Sequence, residues 1–348
     1  MSIPQNRSLF LLVLLVLVLM EVGTGKAMAA DLADGRIEIH GYGNTDLLLS
    51  KHNRFLGSDS SGIFDSALAL LVAAKVTDKT TIWTQVFGNK DKIRLDWAFV
   101  DFKVSEDFDV RAGQIKTPIG IYNEIRDVKY LQLSTLAPYL YQEAADIVDE
   151  AFTGASIVYK HDMAGGDLGV DLYGGKMVAF GDDPATHNHM FGGRLTYRTP
   201  LEGLRMMASG FTADAKVDDA SGRANLLVGS IDYLNYGVDL KGEYAHIEMI
   251  DERKDAYYAQ AGYTFFEKLT PFVRYDYITT DKNNRSDPSF YQKGFVVGAG
   301  YKINDNVSVK VEDHFIKGYA LPVASGEIVA GEGSKEWNLF AAGINFMF

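Results

Sequence analysis

Charged and hydrogen-bonding side chains recur in this sequence at a spacing of two. Arg274 and Asp276, Ser308, Lys310, Glu312 and His314, Asp239, Lys241 and Glu243, Arg194, Thr196 and Arg198, and Asp109, Arg111 and Gly113 each form such a file. That spacing places side chains on one face of a β-strand. Val273 and Tyr275, Val309 and Val311, Leu240 and Tyr244, Leu195 and Tyr197, and Val110 and Ala112 then share the opposite face. Files of mixed charge break no bonds by themselves. They solvate a wall, and several such walls facing one another would line an aqueous passage.

Other chemistries find less support. A hydrolase needs a nucleophile, a histidine and an orienting group at one site, whereas His40, His161, His246 and His314 fall on different strand segments with no nucleophile motif beside them. His187 and His189, with Asp182 and Asp183 nearby, are metal-ligand types without a closed ligand set. Asp214, Asp218 and Asp219 lack the spacing and terminal glutamate of a calcium loop. They suit a solvated external loop that divalent ions could bridge to lipopolysaccharide. Cysteine is absent, and a formal charge of −12 disfavours nucleic acid as a partner. The expectation is no enzyme, no cofactor and no bound metal.

The elements that would position the charges are strands. Alternating segments run from Arg36 to Ser50 through to Trp337 to Phe348, about sixteen in all, an even number as closed bacterial barrels require. Tight turns such as Thr77-Asp78-Lys79, Ser105-Glu106-Asp107, Asn235 and Asn304-Asp305-Asn306 alternate with longer polar connections, including Lys51 to Asp65, Ala179 to Asn188, Lys216 to Arg223 and Gly318 to Glu336. In the final segment Phe340, Ala342, Ile344, Phe346 and Phe348 share one face, while Ala341, Gly343 and Asn345 share the other. An apolar terminal strand left unpaired would aggregate; pairing with the first strand removes the edge. The expected fold is an all-β transmembrane antiparallel barrel.

The amino terminus fits export. Arg7, the apolar run from Leu9 to Met20 and the small-residue site Ala27-Met28-Ala29 have the layout of a cleavable signal peptide. Residues 1–29 are read as that peptide and 30–348 as one barrel domain in the cell outer membrane.

One connection breaks the pattern. Lys116 to Ala151 is the longest, and its aromatic and aliphatic content argues against disorder. Folded into the lumen it would narrow the passage, with Glu124, Arg126, Asp127, Lys129, Glu143, Asp146, Asp149 and Glu150 available to face the opening. The expected constriction comprises Arg94, Arg111, Lys116, Glu124, Arg126, Asp127 and Arg274, with Arg94, Arg111 and Arg274 on the wall opposite Glu124 and Asp127. That arrangement implies passive diffusion of small hydrophilic solutes and ions, with weak cation preference.

At this junction the sequence resembles a known family. Arg111-Ala112-Gly113-Gln114-Ile115-Lys116-Thr117-Pro118-Ile119-Gly120 and the Tyr122-Asn123-Glu124-Ile125-Arg126-Asp127 that follows are similar to the strand-to-constriction-loop junction of Gram-negative general and phosphate-selective (O/P-type) porins. A terminal Phe also resembles the assembly signal of outer-membrane proteins. The resemblance implies a 16-stranded, water-filled, usually trimeric pore with an inward third external loop. It does not carry over phosphate selectivity, because the long loop holds more carboxylates than bases. Lipopolysaccharide and outer-membrane lipid are the expected surroundings. A plugged or narrow barrel for adhesion or anchoring, or a substrate-specific channel, is the alternative.

Overall fold

The computed structural model describes residues 30–32 and 35–348, apart from 149, 164, 179–184, 218–219 and 251. The signal-peptide reading, Asp149, Asp182, Asp183, Asp218 and Asp219 lie outside the described residues. A short strand, β1 (Ala30–Leu32), pairs with the start of β2 (Ile37–Lys51). The chain continues through β3 (Ile63–Thr77), β4 (Thr80–Asn89), β5 (Ile93–Lys103), β6 (Phe108–Lys116), β7 (Ala151–Met163), β8 (Gly166–Met177) and β9 (Ala185–Arg198). The second half comprises β10 (Leu204–Val217), β11 (Ala220–Asn235), β12 (Val238–Met249), β13 (Glu252–Tyr263), β14 (Leu269–Thr279), β15 (Tyr291–Lys302), β16 (Val307–Gly318) and β17 (Glu336–Met347).

From β2 to β17 every strand pairs antiparallel with its sequence neighbour, and β17 returns to pair with β2 from Asn338↔Lys51 to Met347↔Tyr42. These sixteen strands close a barrel. Phe348 completes the seam by exchanging two backbone hydrogen bonds with Gly41, each 2.9 Å. A Cβ on Gly41 would lie 2.2 Å from the Phe348 ring, and one on Gly43 would lie 2.6 Å from the Phe346 ring. The terminal aromatic rings therefore cover two glycines at the closure, where a Cβ would collide with them.

Burial follows the alternation. Leu68, Leu195, Leu227, Ile231, Val273, Phe295, Val311 and Phe315 are exposed on the outside, whereas Asp46, Asp96, Glu243, Arg274, Asp276 and Glu312 are buried inside. A soluble fold inverts this arrangement, but a barrel in lipid requires it. No helix among the described residues is long and apolar enough to cross a membrane, which says nothing about crossing by strands.

The turns correct some expected boundaries. Tyr236 and Gly237 both have positive φ (51° and 78°) and make the two-residue turn between β11 and β12, so Asn235 ends a strand rather than forming the turn. The expected long connection from Lys216 to Arg223 is mostly strand, since β10 runs to Val217 and β11 starts at Ala220. Likewise β9 begins at Ala185, which places His187 and His189 on a strand. Polar composition marked these stretches as loops, but ladder pairing continues through them, from Val217↔Ala220 and Val217↔Ala185.

Candidate functional site

The segment from Thr117 to Glu150 is built from four short 3-10 turns: Asn123–Ile125, Lys129–Leu131, Tyr139–Tyr141 and Glu143–Ala145. Its Ile119, Tyr122, Leu140, Tyr141 and Ile147 belong to the principal buried cluster. Turns this short leave many backbone amides without internal partners, and a buried unpaired amide is costly. Inward-facing side chains supply those partners. Glu243 of β12 accepts from the Ile121 amide (2.8 Å) and the Tyr141 hydroxyl (2.7 Å), and Glu312 of β16 accepts from the amides of Thr135 (2.8 Å) and Leu136 (3.0 Å). Ser209 of β10 accepts from the Gly120 amide at 3.0 Å. Lys129 pairs with Asp46 of β2, and Lys310 of β16 donates to the carbonyls of Lys129 and Gln132.

Both roots of the segment meet at Lys116. Its ammonium lies 3.2 Å from Asp96 and 2.5 Å from Asp127, and also contacts Glu150. Arg94 stands 3.2 Å from Asp96 and 3.7 Å from Glu150. Gln85 donates to Asp96 (2.7 Å) and to the Tyr42 hydroxyl (2.8 Å). The three carboxylates have oxygens within 4.8 Å of one another, a spacing that suits a cation, and the Lys116 ammonium supplies that cation. Burial alone would push Asp127 up, but Lys116, a hydrogen bond with Glu150 and Arg126 outweigh it and hold the carboxyl below the usual range. Glu150 is pushed up, by burial first and then by the charge of Asp127.

The remaining residues expected at the constriction fall in different places. Arg111 faces inward and pairs with Asp101 at 3.0 Å. Glu124 pairs with Arg194 of β9, which also holds Asp171 at 3.0 Å. Arg126 stays within its own segment, 3.4 Å from Asn123 and 3.5 Å from the Val148 carbonyl. Arg274 does not reach an opening. It is 1 % exposed, bonded to Asp276 (2.7 Å), Ser134 (2.5 Å) and the Leu136 carbonyl (3.0 Å), so it lies beneath the segment instead of facing Glu124 and Asp127 across it.

Asp46, Asp96, Arg194, Glu243 and Glu312 were not picked out for this site from the sequence. Asp96 did leave a trace there. Arg94 and Asp96 face inward, yet so do Trp97 and Phe99, because a bulge between β4 and β5 shifts the parity at this point. The histidines separate. His187 is buried between the sulfurs of Met177 (3.0 Å) and Met249 (3.4 Å), whereas exposed His189 pairs with Asp214 at 2.9 Å.

A second connection crosses the external end. Residues 319–335 include a short helix, Ala320–Ala324, and join the β2–β3 loop through Asn53 and Ser334 (2.8 and 2.7 Å) and through Glu327, which accepts from the Leu56 amide at 2.8 Å. Phe55 and Trp337 meet edge to face at 6.0 Å.

No family model and no curated protein matches the sequence. Solved structures match the fold over nearly the whole chain. The anion-selective porin from Comamonas acidovorans superposes with a TM-score of 0.65 at 13% identity, covering 90% of this chain and 99% of its own. OmpF of Salmonella typhi, in complex with daunomycin, gives 0.62 at 15% identity over 90% and 97%. OmpT of Vibrio cholerae, folded in vitro and in a trimer form, gives 0.58 at 12% identity over 90% and 99%. With the closed sixteen-stranded sheet, these likenesses establish that the chain has the fold of Gram-negative outer-membrane porins.

Proposed function

We propose that the protein is an outer-membrane porin, a water-filled channel for passive diffusion of small hydrophilic solutes and ions, with residues 117–150 folded into the lumen as its constriction. The observation that carries this reading is where the segment's backbone hydrogen bonds go: to Glu243, Glu312 and Ser209 on inward strand faces. The segment contains six carboxylates against two bases, which favours weak cation preference over the anion selectivity of the Comamonas porin. Residues 1–29 would direct export.

Two faces of the outer wall favour a homotrimer set in lipid. Tyr244, Tyr257, Tyr275, Tyr301 and Phe295 line the outside of β12 to β15 as an aromatic girdle suited to outer-membrane lipid and lipopolysaccharide. Across β2 to β4 the outside carries a Thr45–Ser66 hydroxyl pair at 3.0 Å among its leucines, with Gly41 and Gly43 covered by the Phe348 and Phe346 rings, a face suited to a second copy.

The test is single-channel conductance of the refolded mature chain in planar bilayers, repeated after deleting Tyr122 to Glu143. A stable open current that grows on deletion is the expected result. A plugged barrel for anchoring or adhesion is the second reading, favoured because the Tyr130 hydroxyl reaches the Asp305 carbonyl (2.9 Å) in the β15–β16 turn, at the far end of the barrel from the segment's roots. Silence in both proteins, with folding verified by heat-modifiable mobility, would select it.

A further inference from the structure

The inward face of the β4–β5 ladder carries a run of partly exposed aromatic rings. Its successive rungs pair Phe87 with Arg94, Gln85 with Trp97, Trp83 with Phe99, and Thr81 with Asp101. Rungs on one face follow each other at about 6.5 Å along a strand. The rings therefore form a file descending from the external end of β4, in the order Phe87, Trp97, then Phe99 with Trp83. Trp97 and Phe99 lie 5.7 Å apart in tilted contact. The Arg94 guanidinium sits 4.7 Å above Phe87, and that of Arg111 lies 5.6 Å above Phe99.

This file remains accessible. Trp83, Trp97 and Phe99 are partly exposed on an inward face, and the Arg94, Asp101 and Arg111 side chains keep 20%, 20% and 24% of their surface. The 117–150 segment hydrogen-bonds with β2, β9, β10, β12, β13, β14 and β16; Phe99 packs partly against the buried cluster to which the segment belongs, whereas Trp83 and Trp97 are not members of that cluster.

The polar groups along the file are matched in charge. Arg94 is paired with Asp96 at 3.2 Å, and Arg111 with Asp101 at 3.0 Å. Each pair offers a planar guanidinium donor at the edge of an aromatic face, and Asp101 adds an accessible carboxylate acceptor, with no net charge to attract an anion. The complementary ligand is neutral, with a flat C–H face to rest on the rings and a rim of hydroxyls for the ion pairs. Pyranose sugars have that form, and several rungs in file suit a short oligosaccharide better than a single ring.

We propose that the β4–β5 wall is a saccharide track, binding neutral sugars by stacking on Trp83, Trp97 and Phe99 with Arg94, Asp101 and Arg111 as hydroxyl partners. This rests on the channel reading above and gives it a substrate class. The experiment titrates glucose, cellobiose and maltotriose into single-channel recordings, with sorbitol as an acyclic control and benzoate as an aromatic anion. The expected result is saturable block that strengthens from glucose to maltotriose and is absent with sorbitol. Trp97→Ala and Phe99→Ala should each raise the half-blocking concentration about tenfold.

A second readout is independent of current. The chain has three tryptophans, Trp83, Trp97 and Trp337. Maltotriose should shift the emission of the refolded protein and of Trp337→Phe, but not that of the Trp83→Phe/Trp97→Phe double variant. Ion conductance with neither block nor an emission shift would overturn the track and leave the channel standing. Block by benzoate with indifference to sugars would overturn the substrate class. A protein that never conducts, yet shows the emission shift, would retain the track and lose the channel.

Discussion

The wall from β12 to β16 and the wall from β4 to β6 carry the same alternation of inward charge, but water reaches them to different degrees. On the first, Glu243, Arg274, Asp276 and Glu312 are buried, and each hydrogen-bonds to the 117–150 segment. On the second, Arg111 and Asp101 pair with each other and remain 24% and 20% exposed. One file of charges completes the hydrogen bonds of an inserted segment, and the other lines water. Period-two alternation shows only that a side chain points inward; what it meets there depends on where the longest connection settles.

The largest expected effect lies at the roots of the segment, at the end of the second wall. Lys116→Met removes the ammonium among Asp96, Asp127 and Glu150, leaving buried carboxylates that repel one another. Breaking a buried pair by removing one partner costs about 3–5 kcal/mol. The variant should unfold from its heat-resistant form at a lower temperature, and its single-channel current should rise and become noisy as the roots of the segment loosen. Unchanged mobility and an unchanged current would mean that the cluster neither holds the segment nor limits the passage.

Strand existence and facing were legible in the sequence because a barrel repeats one rule along its length. Val311 outward and Glu312 inward follow from parity alone, and Phe348 at the seam follows from the need to remove an edge. The partners of the long segment were not legible. Ile121 finds Glu243, and Ser134 finds Arg274, across separations of 122 and 140 residues, and no local pattern encodes such contacts. Arg274 was misplaced for that reason: parity turned it inward, and nothing nearby indicated that the segment would cover it. The bulge at Asp96 could have been read, since charged residues at 94 and 96 and aromatic residues at 97 and 99 cannot share one face of a regular strand.

A smaller effect tests the dry wall alone. Glu243 accepts from the Ile121 amide, the Tyr141 and Tyr258 hydroxyls (both 2.7 Å) and Ser230 (2.6 Å), more donors than a neutral amide can satisfy. Glu243→Gln keeps the shape but leaves donors unpaired, at a cost of about 1–3 kcal/mol. Thermal denaturation should shift downward by less than in Lys116→Met, and backbone protection from hydrogen exchange should fall at Gly120 to Tyr122 before it falls in the strands. Loss of protection in β12 itself, at the same rate as in the segment, would show that Glu243 supports the barrel rather than the insert.

The smallest effect on stability should come from the wet wall, and there the readout changes. The Arg111–Asp101 pair is solvent-accessible, and such pairs contribute only about 0–1 kcal/mol. Arg111→Gln should therefore leave the melting temperature nearly unmoved. It also leaves Asp101 uncompensated beside the passage, where a charge acts on a passing ion within a Debye length of about 8 Å at physiological salt. Reversal potentials in a salt gradient should shift toward cations, and the shift should shrink as ionic strength rises. A destabilised barrel with unaltered selectivity would reverse the assignment of the two walls, making β4 to β6 the structural one.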